Sequence, residues 1–515
     1  MRVGIIEILA LPSQRWLDTI YHLLITKQSA SVTPQAISVW CRQLGHETFY
    51  ACYYGVGDAH RMLPPDLDII FIACYTPTSP IAYALAKFYR KACIRTVIGG
   101  PHAKSFPADC LRFFDLVVKE CDKALIVDIL AGHFDPGSFI SSAKPFDDLP
   151  TVEERMPEIR ASAFFQGKRP IFSTMIPMLA SMGCPHTCDF CTDWDTPYRL
   201  LSTDRLAADI RYLTKNFPGT RIGFHDPNFG IKFDPVFDIL EAVPRESRVP
   251  YVMECSLGVL RKSRIKRLKE TNCVGSVHGV ESWMNYSGKS GTGRNTGLEK
   301  VRQIVEHFRL LSESVPYIQA GFIFGLDTDM GDEPFSFTKN FMDHTPFVLP
   351  SLNIPIPLGG TPLYKQHLAN NRILKAMPLA FFMPYVVSTL KNYDPVTYYE
   401  KIIDVTSFSV SNSLLKRRMK SASKSWTLKI LYQARTINAK RVNNGYRKIL
   451  ELLRSNSRFR AFHEGESEVL PEFYHKEYER ILGSYAELLS QADRVPNLEQ
   501  IEPVLSGKKD IMSHI

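Results

Sequence analysis

The 515 residues include 45% hydrophobic and 22% charged side chains, a balance that excludes a disordered or fibrous chain and leaves room for two or three cores. The formal charge of +9 is local: residues 411–460 hold fourteen Lys/Arg and one acid, Glu451, and the rest of the chain is slightly acidic. No run approaches the ~18 apolar residues of a membrane span, and "MRVGIIEILALPSQ" lacks a secretory pattern, so a cytoplasmic protein is expected.

The first part alternates strands and helices. Val3–Ala10, Leu67–Cys74, Arg95–Gly100 and Asp115–Glu120 have the length and branching of buried parallel strands. Thr33-Pro34 and Ser79-Pro80 are helix starts, and Gly45 closes the helix begun near Pro34. The pattern predicts a doubly wound, Rossmann-like α/β domain over residues 1–135, with its ligand at the carboxyl ends of the strands. Those ends carry "YTPTSP" (Tyr75–Pro80) and "GGPHA" (Gly99–Ala103), so Thr76, Ser79, Gly99, Gly100 and Pro101 are candidate binding residues. Their small or hydroxylated side chains permit close backbone approach.

Residues 136–165, rich in Pro, Ser and Asp, read as a linker. A second alternation follows, over residues 166–370. Its strands are expected at Phe172–Leu179, Arg221–His225, Tyr251–Cys255, Val274–Gly279, Tyr317–Gly325 and Ser351–Pro357, with helices such as Thr203–Asn216 and Leu298–Ser312 between them. Six β/α repeats predict a partial barrel. Beyond about residue 370 the strand signal fades and residues 371–515 read as a helical region.

The most informative stretch is "SMGCPHTCDFCTD", Ser181–Asp193. Structural zinc wants four protein ligands, commonly in paired knuckles. Cys184, Cys188 and Cys191 have no second pair. A cubane held by three thiolates leaves one iron free for a small molecule, which this triplet satisfies. The other eight cysteines are scattered singly and read as buried thiols rather than a disulfide framework.

"CPHTCDFC" resembles the signature of the radical S-adenosylmethionine (radical SAM) enzymes. The resemblance implies a partial (β/α)6 barrel and a [4Fe-4S] cluster on Cys184, Cys188 and Cys191. S-adenosylmethionine would bind the open iron, to be cleaved reductively to a 5′-deoxyadenosyl radical. Phe190 takes the aromatic position before the third cysteine. "FHDPNF", "HGVES" and "GFIFGLDTD" resemble later strand-end segments of the family and implicate Asp226, Asn228, Glu281 and Gly325 in binding S-adenosylmethionine. An electron donor such as flavodoxin or ferredoxin is implied too.

A doubly wound domain ahead of such a barrel resembles the cobalamin-binding class of this family, and "VIGGPHAKSFPADCL" is close to that class's fourth-strand segment. Two departures stand out. "KECDK" (Lys119–Lys123) replaces the expected G-E-G-E, and the axial-histidine motif is absent, "DAHRML" (Asp58–Leu63) being a partial mimic. The implied activity is cobalamin-dependent methylation of an unactivated carbon in a natural-product or lipid-like small molecule. The alternatives are radical cyclisation or oxidation, a radical enzyme without cobalamin, or a cluster- or corrin-based sensor. Nothing marks a further catalytic residue. The basic segment 411–460 has three readings: a solvated helical face over the barrel mouth, a peripheral contact with the inner membrane surface, or nucleic-acid binding, which the acidic body argues against.

Overall fold

The computed structural model describes residues 1–422 and 425–506. A parallel sheet in the amino-terminal part has the order β15-β6-β5-β4-β3-β1-β2. Its members are β1 (Arg2–Ile8), β2 (Glu47–Tyr53), β3 (Ile69–Cys74), β4 (Arg95–Gly99), β5 (Leu116–Val118), β6 (Ser138–Ser142) and β15 (Val504–Ser506). Six of β1's seven residues are buried, as a central strand covered on both faces requires. The chain runs from β1 outward to β2, then returns through β3 to the other side, so the topological switch lies between β1 and β3. Ligands of doubly wound sheets sit outside the strand ends at that switch.

Residues 136–165 are not a simple linker. They supply β6 and the helix Met156–Ala163, because "SFISS" extends the sheet by parallel pairing with β5. The carboxyl-terminal region is not purely helical either. β15 pairs in parallel with β6, closing the sheet edge.

A second sheet contains β7 (Met175–Met178), β10 (Arg221–Phe224), β11 (Tyr251–Glu254), β12 (Cys273–Glu281), β13 (Tyr317–Ile323) and β14 (Val348–Asn353), parallel and in the order β14-β13-β12-β11-β10-β7. This is the expected six-stranded partial barrel. The alternating burial of β13 shows why: Ile318, Ala320 and Phe322 pack outward under the helices, while Tyr317, Gln319, Gly321 and Ile323 face the less crowded side. The short strands β8 (Ser181–Met182) and β9 (Arg199–Leu200) pair antiparallel outside this sheet.

The two halves are bonded through buried polar groups. Arg155, 0% exposed, donates to Gln35 Oε1 at 2.8 Å and to the Pro177 carbonyl at 3.1 Å, tying the helix Val32–Gln43 to β7. The carboxyl-terminal strap adds further links. Asn497 N donates to Asp109 Oδ1 at 2.7 Å, and Tyr364 Oη donates to the Leu498 carbonyl at 2.6 Å.

The long helix of the basic segment, Trp426–Ser455, packs against the helix Pro395–Ser409 and reaches the amino end of β14, the edge strand. Tyr432 Oη donates to the Phe347 carbonyl at 3.1 Å, just before β14 begins, and the rings of Tyr317 and Tyr432 are 6.5 Å apart at the amino end of β13. An edge strand left open invites pairing with another chain; here Leu349 and Leu352 of β14 and Thr436 and Val442 of this helix line one small cavity beside that edge.

Candidate functional site

β7 delivers the chain to β8, and the β8–β9 hairpin presents the three cysteines in its loop. Gly183 opens that loop at φ +67°, where a Cβ would lie 2.3 Å from the Pro197 carbonyl oxygen, so only glycine fits. The loop closes on its own backbone: Cys184 N donates to Thr196 O, and Cys191 N to Cys188 O, both at 3.1 Å. Cys184 and Cys188 are buried and Cys191 is half-buried. Burial pushes the Cys188 thiol up to about 11 against the opposing effect of Lys289, and burial also raises Cys191. Thiols so placed favour the thiolate only when a cation stands beside them. Among the described residues no three His, Cys, Asp or Glu converge on a single ion. The donor chemistry of three thiols on one loop fits an iron–sulfur cluster.

Asp226 and Asn228 brace this loop. Asp226, 2% exposed, accepts from Ala180 N at 3.1 Å and from Ser181 N and Oγ at 2.5 Å each. Burial raises it to about 6, with those donors pulling the other way. Its carboxylate is thereby committed to the entry of the cysteine loop. Asn228 Nδ2 donates to Cys184 Sγ at 3.4 Å and to Ser256 Oγ at 3.3 Å, while its Oδ1 accepts from Ser256 N at 2.9 Å.

Phe190 stacks on Tyr286 with ring centres 6.0 Å apart, and Lys289 Nζ lies 5.9 Å from the centre of its ring. Tyr286 Oη in turn donates to Asp189. Glu281, in the left-handed region at φ +65°, is 8% exposed, and its carboxyl makes no hydrogen bond among the described residues. Burial lifts its carboxyl to about 7, Lys289 and Lys300 oppose that, and Glu254 adds to it. A buried carboxyl without a hydrogen bond, beside a second carboxylate, suits a cationic ligand such as the ammonium of an amino acid. Gly325, at φ +92°, is placed by packing: a Cβ there would lie 2.9 Å from Leu390 and Tyr398, and its N–H donates to Asp329 at 2.9 Å. Lys289, Tyr286 and Glu254 carried no spacing signal and come to the site through the fold.

A cavity of about 310 Å³ joins the two halves. Glu7, Tyr75, Gly99, Gly100 and Pro101 wall it from the first sheet, and Gly183, Thr192, Asp193 and Thr196 from the cysteine loop. A second, mainly apolar chamber of about 570 Å³ shares Tyr75 and Pro101 and reaches Leu9–Gln14, Ile356 and Phe382. Three of the five expected residues, Gly99, Gly100 and Pro101, therefore line the first cavity, and Thr76 lines the second. Ser79 lines neither: it is fully buried in the first turn of the helix Ser79–Lys91. A Cβ on Gly99 would meet only the Val118 carbonyl, at 3.8 Å, so the sheet edge is bare where a large ring would approach. Among the described residues, the one histidine that lines the first cavity is His225, from beyond β10.

The "KECDK" departure also has a structural answer. Lys104 Nζ bonds Glu120 Oε1 at 3.0 Å, Asp193 Oδ1 at 3.1 Å and Thr196 Oγ1 at 3.2 Å, and Lys119 lies 3.8 Å from Asp195. The amino-terminal half grips the cysteine loop by lysines.

A doubly wound domain in series with a parallel (β/α)6 partial barrel, whose first β/α loop bears three clustered cysteines, defines the class of this chain. Residues 178–333 match the family model of the Radical SAM superfamily, and that stretch is a radical SAM domain. The chain is 23% identical over 309 residues to the bacteriochlorophyllide d C-12(1)-methyltransferase of Chlorobaculum tepidum, covering 58% of this chain and 65% of that protein's length. It is likewise 23% identical over 358 residues to the bacteriochlorophyllide d C-8(2)-methyltransferase of the same organism, covering 66% and 76% respectively. The fold is similar to that of the radical S-adenosylmethionine methyltransferase TsrM from Kitasatospora setae, solved with cobalamin and a [4Fe-4S] cluster. That match has a TM-score of 0.51 at 13% identity, over 72% of this chain and 78% of that one.

Proposed function

We propose that this chain is a cobalamin-dependent radical SAM methyltransferase acting on an unactivated carbon of a largely apolar small molecule. The observation that carries this reading is the shared cavity, walled on one side by Gly99, Gly100 and Pro101 and on the other by the cysteine loop. Two cofactors that must work on one substrate need such a common space. The methyltransferase names of both relatives and the fold of the structural neighbour support the reading.

Cys184, Cys188 and Cys191 would hold the [4Fe-4S] cluster, with Asn228 fixing the Cys184 sulfur and Asp226 the approach to the loop. Glu281 and Glu254 offer negative charge to the ammonium of S-adenosylmethionine, and Phe190, stacked on Tyr286 beside Lys289, offers a flat apolar wall. The bare carboxyl end of β4 at Gly99 would accommodate the corrin. When bound, these cofactors supply a carbon-centred radical and a transferable methyl group. The chamber reached past Tyr75 has the apolar lining that a substrate with a large hydrocarbon part requires. One-electron reduction calls for a protein donor of the flavodoxin or ferredoxin kind, and a cytoplasmic setting is consistent with that need. No helix among the described residues is long and apolar enough to cross a membrane.

Oxygen-free purification with counting of iron, sulfide and cobalamin, followed by dithionite and S-adenosylmethionine, tests this. Iron, sulfide and corrin together with 5′-deoxyadenosine are expected. Cys188→Ala should lose the iron and the nucleoside product together. Zinc in place of iron, or no 5′-deoxyadenosine from cluster-loaded protein, overturns the reading. Failure to retain cobalamin removes its corrin part alone.

A further inference from the structure

The helix α1 (Trp16–Leu24, "WLDTIYHLL") is built inside out. Its apolar side chains Trp16, Leu17, Ile20 and Leu23 are exposed, Trp16 at 71%, and they fall on one stripe at helical spacing. The opposite side turns inward: Asp18 and His22 line the apolar chamber, Asp18 pairs with Arg441, and His22 Nδ1 is 3.0 Å from Ser13 Oγ. A soluble surface helix normally shows the reverse arrangement.

Two neighbours continue the stripe. The residues after α1 are sewn to the chain just before a tight turn: Lys27 Nζ donates to the Phe164 carbonyl at 2.9 Å and Gln28 Nε2 to the Ala163 carbonyl at 3.1 Å. That turn, "FQGKRPIF", exposes Phe165, Lys168, Arg169 and Phe172. Phe172 then meets Trp426 of the long basic helix, ring centres 6.3 Å apart, and Trp426, Ile430 and Ile437 are exposed along one side of that helix, Trp426 at 64%. The Asp18–Arg441 pair joins that helix back to α1.

Charge selects the partner of this surface. Across α1, the turn and residues 426–450, Asp18 is the single acid, and it is turned onto Arg441, while Lys168, Arg169, Lys429 and Lys440 interleave with the apolar groups. Tryptophan and phenylalanine beside lysine and arginine are the side chains that settle at a lipid interface, and anionic headgroups complement their charge.

We propose that α1, the 165–172 turn and the amino-terminal half of the helix Trp426–Ser455 form one docking face for an anionic lipid bilayer. The face stands on exposure and charge, independently of the radical SAM reading. Docking would bring the wall of the apolar chamber formed by Asp18 and His22 close to the bilayer.

The test is flotation of the full chain with phosphatidylcholine vesicles and with mixed phosphatidylcholine–phosphatidylglycerol vesicles. Binding to the mixed vesicles, weakened by salt, is expected. The double variant Trp16→Ser/Ile20→Ser, which loses apolar insertion, and the double variant Lys168→Glu/Arg169→Glu, which reverses two charges, should each lower partitioning by about tenfold or more. Val469→Ser, exposed elsewhere, should change nothing. Circular dichroism shows that each variant is folded. Absence of vesicle binding, equal binding to both vesicle types, or variants that bind as wild type overturn the proposal. So does light scattering that finds a dimer abolished by Trp16→Ser/Ile20→Ser, because a second copy would then cover this face.

Discussion

Lys104 Nζ stands 3.1 Å from Asp193 Oδ1, so one ammonium from the helix after β4 holds the loop that carries the cysteines. The lysine side chain is 12% exposed, and Glu120 and Thr196 complete its shell. Burial disfavours its charge, but the Glu120 and Asp193 carboxylates outweigh that and hold it above its ordinary value. Lys104→Met should destabilise the chain by about 3 kcal/mol, because it leaves two carboxylates facing each other. A cycle with Asp193→Ala, read by urea denaturation, should show a coupling of about 1–3 kcal/mol. Additive effects would mean that the two halves do not communicate through this contact.

Glu7, 1% exposed on β1, accepts the Ser31 N–H across both its oxygens at 3.0 and 3.1 Å and also accepts from the Ser31 hydroxyl. Burial raises its carboxyl from 4.5 to about 7, and the Ser31 bonds oppose that rise. Between those values the folded chain binds more protons than the unfolded chain, so the stability that neutral Glu7 contributes is present in full at low pH and is lost as pH rises through about 7. The loss is on the order of 3 kcal/mol. Glu7→Gln should flatten the fall of Tm between those pH values. An unchanged Tm profile would show that Glu7 titrates at the same pH in the folded and unfolded chain.

Glu281→Gln keeps the shape of the buried side chain and removes its charge. If the carboxyl receives the ammonium of S-adenosylmethionine, the dissociation constant of that ligand should rise about tenfold, the worth of one charge-assisted hydrogen bond. Iron content should stay at the wild-type value. Equal loss of iron would make Glu281 a support of the cysteine loop instead.

Gly99→Val fills the bare sheet edge. Its Cβ meets no atom nearer than 3.8 Å, so the chain should fold, while the two methyl groups intrude on the shared cavity. Cobalamin retention after gel filtration should fall about tenfold. Reductive formation of 5′-deoxyadenosine should persist. Undiminished retention would place the corrin away from Gly99.

Several elements were legible because their signals are local. The cysteine triplet, the six β/α repeats and the helix Thr203–Asn216 follow from spacing and periodicity within a few dozen residues. The strand β2 lacked such a signal: its first four residues are exposed or half-buried, as befits an edge strand, so "ETFYACY" shows no buried run. β6 and β15 are short and Ser-bearing, and they exist because each pairs with a strand already in place. Ser79 looked like a ligand from its motif, but the helix it begins turns its hydroxyl into the core.

The chain's own order of residues determined the donor set, since three thiols within eight positions stay together in any fold of that loop. Only the tertiary structure decided what surrounds them. Lys104 meets Asp193 across 89 positions and α1 meets the basic helix across 423, and contacts so distant in sequence leave no periodicity to read. The outward apolar face of α1 is the sharpest case: its spacing alone would assign Trp16 and Ile20 to a core, and it is the packing of the remaining chain against Asp18 and His22 that leaves them facing out.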